Sequence, residues 1–466
     1  MPADPVTTDT PTLVGEGKSL LDRLLSLGAD VRAGEGGTAL LLALNGFLLL
    51  AAYYCIRPLR SALLLPVEIQ VPGAPLLKGA EITSYLGAVL AVLFLIIVPL
   101  YASLASRVNR IRLLTSVTTF FIVTLLGFYA IAASGALPTA VGVLFYLWIG
   151  VFNLMVIAQF WSFANDLYTP EQGKRLFAIV GFGGSVGAAT GALIASRLAV
   201  RVGAMQMMII AAVMLATCIL LTYVIHQRDR RKPVAHSEHT AAEKSIGGQG
   251  GFKLVLGNSY LLGIGLLTLT AQVVNTNGNF ILNQTVAGMA DGAARSGTQS
   301  EADIILATMA DVDLWQNLLA MAIQFFLVSR IFKYLGVGGA LFVLPLIALG
   351  SYSLFALAPV LSMIRIAKIT ENATDYSLQN TVRRALFLPT NRDAKYKALQ
   401  AVETFFWRTG DLLSSVAVLV FITWLRVPVQ AFTFVNILAV GVWLALAAFL
   451  AKRNQRLTAE AERVAA

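Results

Sequence analysis

A chain of 466 residues that is 57% hydrophobic and only 13% charged lacks the polar surface of a water-soluble protein, where about a quarter of residues are charged. Its net charge of +10 falls between apolar runs of about 20 residues, each long enough to cross a bilayer, rather than along one water-facing stripe. Soluble and nucleic-acid-binding classes are thereby excluded, and an all-α membrane protein is expected.

In chain order, residues 1–38 read as a tail. The first 37 positions hold six acids and three bases before any apolar run, the wrong charge for a signal peptide. Leu20, Leu24, Leu27 and Val31 repeat at helical spacing opposite Asp22, which predicts a short helix on the membrane surface. Apolar runs predict six spans near 39–65, 81–104, 113–133, 140–165, 177–199 and 204–226. A polar central loop follows over 227–255, then six spans near 256–290, 305–329, 337–357, 360–386, 397–422 and 429–451, and a tail over 452–466. Twelve transmembrane helices in two six-helix halves, 39–226 and 256–451, are expected. The short basic loops Thr169–Arg175 and Thr390–Tyr396 fall at equivalent places in the two sixes, as in a duplicated bundle.

One side of this arrangement holds about 25 of the 35 Lys and Arg, against Lys78, Arg197, Arg201, Arg295 and Arg426 on the other. The positive-inside rule then puts both termini in the cytoplasm. Helical spans suit a plasma membrane, not an outer-membrane barrel.

Ionisable residues inside apolar spans are costly and mark pathways or binding sites. The cations are Arg57 and Arg60 in span 1, Arg365 and Lys368 in span 10 and Arg408 in span 11; the acids are Glu371, Asp375, Glu403 and Asp411, with Glu81 and Asp166 at wetter span ends. Arg365, Lys368, Glu371, Asn372, Asp375 and Gln379 share an arc of about 120°, either a self-neutralising ladder or a substrate face. Span 1 has no carboxylate beside its arginines, and Pro58 between them opens the helix. Their counter-charge is either an acid such as Asp166 or Glu371, or an anionic substrate held by guanidinium forks.

Gln272, Asn275, Thr276, Asn279 and Asn283 share an arc of about 100° in span 7, suited to reading a polar solute or to joining helices. Gln159, Ser162 and Asp166 share a face in span 4, beside Trp161 and Phe163. Gly183, Gly187 and Gly191, four apart within span 5, predict close helix packing in preference to a phosphate cradle. Cys55 and Cys218 lie in apolar runs, and His226, His236 and His239 gather at the end of span 6 and in the central loop. Neither set builds a catalytic or metal-binding constellation. No enzyme activity, cofactor or metal is expected.

The segments Tyr53-Tyr54-Cys55-Ile56-Arg57-Pro58-Leu59-Arg60, Phe160-Trp161-Ser162-Phe163-Ala164-Asn165-Asp166 and Glu171-Gln172-Gly173-Lys174-Arg175-Leu176-Phe177 resemble the bacterial branch of the ATP/ADP translocase (NTP/NDP exchange transporter) family. Lys395-Tyr396-Lys397, Glu403-Thr404 and Arg408-Thr409-Gly410-Asp411 extend the resemblance into the second half. It implies a major facilitator-like fold, nucleotide exchange by alternating access, and substrate or coupling roles for Arg57, Arg60, Lys395, Lys397, Arg408 and Asp411. The chain departs from that pattern at Ser61, at Gly278-Asn279-Phe280 and at Thr381-Val382-Arg383-Arg384-Ala385, where relatives often carry acids or a proline with an Arg-Glu pair.

The expected function is secondary transport of an anionic, phosphorylated metabolite, ATP/ADP-type exchange being the sharpest form, by a monomer in the bacterial inner membrane. Substrate contacts are expected from Arg57, Arg60, Gln159, Asn275, Asn279, Arg365, Lys368, Lys395 and Arg408. Coupling or internal ion pairs are expected from Asp166, Glu371, Asp375, Glu403 and Asp411. A permease or exporter of a non-phosphorylated solute, and a non-transporting scaffold or sensor, are the alternatives.

Overall fold

Within a bilayer every backbone N–H and C=O has to be paired inside the protein, so apolar runs become helices. The computed structural model describes residues 19–26, 31–70, 72–73, 75–105, 109–230, 251–296, 300–357, 360–390 and 394–465. Ten stretches among them are helical, long and apolar enough to cross a membrane. One of these, Glu301–Leu357, folds at Gly336, whose φ of 63° lies in the left-handed region that glycine tolerates. A further helix over 361–385 carries too many charges to count as apolar, yet buries Lys368, Glu371, Asp375 and Arg383.

The twelve helices are α1 Gly36–Leu64, α2 Gly79–Ala105, α3 Arg110–Ala133, α4 Pro138–Leu167, α5 Pro170–Val202 and α6 Gln206–Arg230. In the second half they are α7 Ser259–Ser296, α8 over 301–335, α9 over 337–357, α10 over 361–385, α11 Leu399–Trp424 and α12 Val429–Ala465. Each expected span falls on one of them. The departures lie outside the spans. A two-residue hairpin, β1 Glu68–Ile69 against β2 Leu77–Lys78, interrupts the all-α expectation between α1 and α2. The expected tail 452–466 is helical through Ala465, and a short helix, Gly251–Leu256, stands within the expected central loop. Residues 231–250, with His236 and His239, lie outside the described residues.

Helix α1 is the hub of the first half. A Cβ at Gly183, Gly187 or Gly191 would run into the carbonyl oxygen of Ala43, Phe47 or Ala51, so these three glycines, four residues apart, bring α5 backbone-to-backbone with α1. Within the Gly181–Gly187 run, Gly183, Gly184 and Gly187 thus form packing surface. Near the termini, Thr169 and Gln172 close a capping box on α5, and Arg175 pairs with Glu35 at 2.9 Å, tying α5 to the start of α1.

Asp22 corrects the expectation of an outward polar face on the tail helix Leu20–Leu25. It is buried, accepting the Ser19 hydroxyl at 2.7 Å and the N–H groups of Gly34 and Gly36 at 3.2 and 2.9 Å. The open N-terminus of α1 needs acceptors, and Asp22 supplies them.

The second half is irregular where the first is regular. Five π-helical turns lie in α8, in α10, in α11 and in the segment leading into α11, and among the described residues none lies in the first half. Such turns commonly mark functional positions. The first half has instead the Arg57-Pro58 break, where proline lacks the N–H to continue the helix.

Candidate functional site

The halves meet along α2 with α11 and α5 with α8. Near the face opposite the termini, the Ala204 N–H donates to Asp303 at 2.8 Å, the Thr423 hydroxyl to Glu81 at 2.5 Å, and the Ser415 hydroxyl to the Ser84 carbonyl at 2.6 Å. Tyr85 shares a further hydrogen bond with Thr423. Glu81, expected to be wet, is buried in this seam. The two halves are closed at that face.

Between them lies a cavity of about 410 Å³, within the usual range for small-molecule sites. Helix α7 supplies its polar wall: Gln272, Asn275, Thr276, Asn279 and Asn283 all line it. Arg57 and Arg60 enter from α1, Arg408 and Asp411 from α11, and Tyr146 and Asn153 from α4. Tyr53, Tyr54, Tyr376 and Trp407 add aromatic surface.

The three guanidiniums are held differently. Arg57 Nη1 lies 3.2 Å from Asp313 Oδ1 on α8 and its guanidinium 5.2 Å from the Tyr54 ring. Arg408 Nη1 is 3.3 Å from Asp411 Oδ2 and stacks on Phe94 at 4.5 Å. Asp411 in turn accepts Gln272 at 2.7 Å and Thr276 at 2.9 Å. Arg60 lies over Tyr146 at 5.4 Å, and among the described residues no carboxylate comes within 4.0 Å of it. Three guanidiniums therefore face two carboxylates, leaving an excess of positive charge.

Span 10 supports the cavity from behind. The fully buried Lys368 reaches Glu371 at 3.3 Å and donates to Asn275 Oδ1 at 3.0 Å. The Tyr352 hydroxyl donates to Glu371 at 3.2 Å. Gly278 makes room for this, since a Cβ there would collide with the Tyr352 hydroxyl and sit 2.9 Å from Lys368 Nζ. Arg365 pairs with Asp311 and does not line the cavity. Asp375 is buried within the π-helical turn of α10.

Other expected residues stand apart. Gln159 does not line the cavity; it is buried against a void of about 20 Å³ with Asn45, Thr118 and Thr222, and among the described residues neither amide atom has a partner. Glu403 lies 3.9 Å from Arg384 on the exposed side of α11. Asp166 is exposed near the end of α4, and Trp161 packs edge-on against Phe177 at 5.8 Å. The Lys395 backbone belongs to the π-helical turn Ala394–Ala398, while its side chain lies outside the described ones. Asp313, absent from the expected residues, is the acid that meets Arg57, in place of Asp166 or Glu371.

Solved transporters share this fold. The nucleoside transporter NupG is 15% identical over 90% of this chain and 98% of its own, with a TM-score of 0.60. The peptide transporter POT, in complex with sulfate, is 14% identical over 94% and 99%, at 0.59. A bacterial homologue of the human lysosomal transporter Spinster, inward-facing and unoccupied, is 13% identical over 91% and 98%, at 0.56. No protein-family model matches the chain, and no curated protein matches it. At such identities the likeness is one of fold, and that fold is the major facilitator type: two six-helix halves about a central cavity.

Proposed function

We propose that this protein is a secondary transporter that moves an anionic, phosphorylated small molecule by alternating access, with ATP/ADP-type nucleotide exchange as the sharpest form. One observation carries the reading: Arg60 projects into a cavity between the halves with no carboxylate within 4.0 Å among the described residues. A cation at membrane depth needs counter-charge, and an anionic solute brings it. The amides of α7 and the aromatic rings offer contacts for a sugar or a base. The solute binds between two bodies, 39–226 and 256–451, which rock about it. The monomer works in a bacterial inner membrane with both termini cytoplasmic, the side favoured by the Lys and Arg distribution.

A permease for a singly charged or neutral solute is the second reading. It is favoured by the pairing of Arg57 with Asp313 and of Arg408 with Asp411, which leaves less positive charge for substrate.

Counterflow in proteoliposomes separates these readings. Vesicles loaded with ATP or ADP are expected to take up labelled nucleotide saturably, unloaded vesicles not, and Arg60→Gln is expected to weaken uptake roughly 10- to 100-fold. Absence of uptake for any phosphorylated solute by folded protein overturns the first reading in favour of the second.

A further inference from the structure

A second chamber of about 70 Å³ lies beside the main cavity, and Arg57, Arg60, Asn279 and Asn283 line both. Its remaining polar wall comes from Ser61, from Asp313 and Gln316 on α8, and from Asn372 on α10. The volume is roughly twice the ~30 Å³ that one water molecule takes in the liquid, room for a compact group and too little for a base or sugar ring.

Gln316 is 1% exposed. Its Oε1 accepts from Asn372 Nδ2 at 3.0 Å, but among the described residues its Nε2 has no hydrogen-bond partner. A buried amide donor left unmet is destabilising, so the position calls for an acceptor. The charges facing the chamber are Arg57, Arg60 and Asp313. Behind them on α8 and α10, Asp311 pairs with Arg365 and Glu371 with Lys368, so neither pair alters the balance. Two guanidiniums against one carboxylate repel a cation, and water alone leaves Arg60 uncompensated.

We propose that this chamber is an oxyanion subsite for a single phosphoryl group, either inorganic phosphate or the terminal phosphoryl of the solute in the main cavity. This rests on the anionic reading of that cavity and adds where the phosphoryl is held. The acceptor oxygens receive the guanidiniums bidentately, the Asn279 and Asn283 amides, and the orphaned Gln316 Nε2. Occupancy also draws Arg57 away from Asp313, a contact between α1 and α8, so binding loosens one join between the two halves.

The test is equilibrium binding of radiolabelled inorganic phosphate to the purified full chain, wild type and Gln316→Glu. The variant keeps side-chain size and the acceptor for Asn372, but sets a carboxylate oxygen where the donor stood. Wild type is expected to bind phosphate saturably, and Gln316→Glu at least tenfold more weakly with an unchanged melting temperature. Should that variant fail to fold, Gln316→Met, similar in volume and without the amide, is expected to show the same loss. Competition by a nucleoside diphosphate but not by the nucleoside assigns the site to the solute's terminal phosphoryl; competition by neither assigns it to free phosphate. No phosphate binding by folded wild type, sodium binding in its place, or equal phosphate binding by the variants overturns the subsite. Phosphate binding that Gln316→Glu leaves unchanged, with organic phosphate uptake intact, sinks the chamber and spares the transporter reading. Phosphate binding without uptake of any organic phosphate does the reverse.

Discussion

Arg57 and Arg60 in α1, and Arg365 and Lys368 in α10, are cation pairs with the same i, i+3 spacing in spans at membrane depth, yet the fold treats them in opposite ways. The α10 pair is neutralised within its own half, Arg365 by Asp311 and Lys368 by Glu371. The α1 pair has no acid partner in its own half among the described residues: Arg57 reaches across to Asp313, and Arg60 lies over the face of Tyr146. A buried charge settled inside one rigid body is scaffold. One settled across two moving bodies, or not settled at all, is available to a ligand and to the conformational change it drives.

The largest effect should come from breaking the self-contained pair. Lys368→Met strands Glu371 in the interior with the Tyr352 hydroxyl as its remaining partner, and loss of one member of such a pair costs about 3–5 kcal/mol. Lys368→Met combined with Glu371→Gln should recover most of that stability, as measured by denaturation of the purified protein. If the single variant is as stable as the double, the pair does not hold α10 as described.

The α1 pair should respond in function before stability. Hydrogen bonds to charged groups contribute about 1.5–3 kcal/mol, so Arg60→Gln should weaken solute uptake roughly 10- to 100-fold with little change in melting temperature. Arg57→Gln should lower both, because it also strands Asp313. Equal loss of stability in the two variants would erase the distinction between the paired and the unpaired arginine.

Gly278 sharpens the comparison at smaller scale. An added methyl presses on Tyr352 and Lys368 at once, and overpacking of this kind costs about 1–3 kcal/mol. Gly278→Ala should therefore destabilise the C-terminal half without touching Arg60, and uptake per folded molecule should change less than in Arg60→Gln.

Local periodicity explains what could be read from sequence. The amide face of α7 follows from 100° per residue, and all five of its side chains reach the cavity. The same rule applied to α4 selects the wrong stripe. Tyr146 and Asn153, seven apart, face the cavity, while Gln159 is turned by about 240° from Asn153 into the packing against α1, α3 and α6. Asp311 and Asp313 carry the signal that marks Glu371, an acid inside an apolar run. The meeting of Asp313 with Arg57, however, depends on how the two halves dock, and no local pattern encodes docking. Glu81 is hidden from sequence for the same reason, since its burial comes from Thr423 in the opposite half.

A third setting for a charge lies outside the membrane spans, and it should give the smallest effect. The Ser19 hydroxyl foremost, and against burial the N–H groups of Gly34, Ser19 and Gly36, hold Asp22 down from the ordinary 3.8 to about 2. A carboxylate depressed by folding contributes stability above its unfolded pKa and loses it as pH falls through the folded value. The tail clamp should therefore persist above about pH 4 and release towards pH 2. Glu35 moves the same way: against the burial that raises it, Arg175, the Arg32 N–H and Gln172 hold it below the usual carboxylate range. Amide hydrogen exchange at Gly34 and Gly36, corrected for the intrinsic pH dependence of exchange, should show protection falling over the acid interval in wild type and low throughout in Asp22→Asn. A flat wild-type profile would mean that the ordering of the α1 N-terminus owes nothing to Asp22. The ion pairs at the start of α1 would then be those of Glu35, which meets Arg175 and accepts from Gln172, as Arg57 nearer its other end meets Asp313.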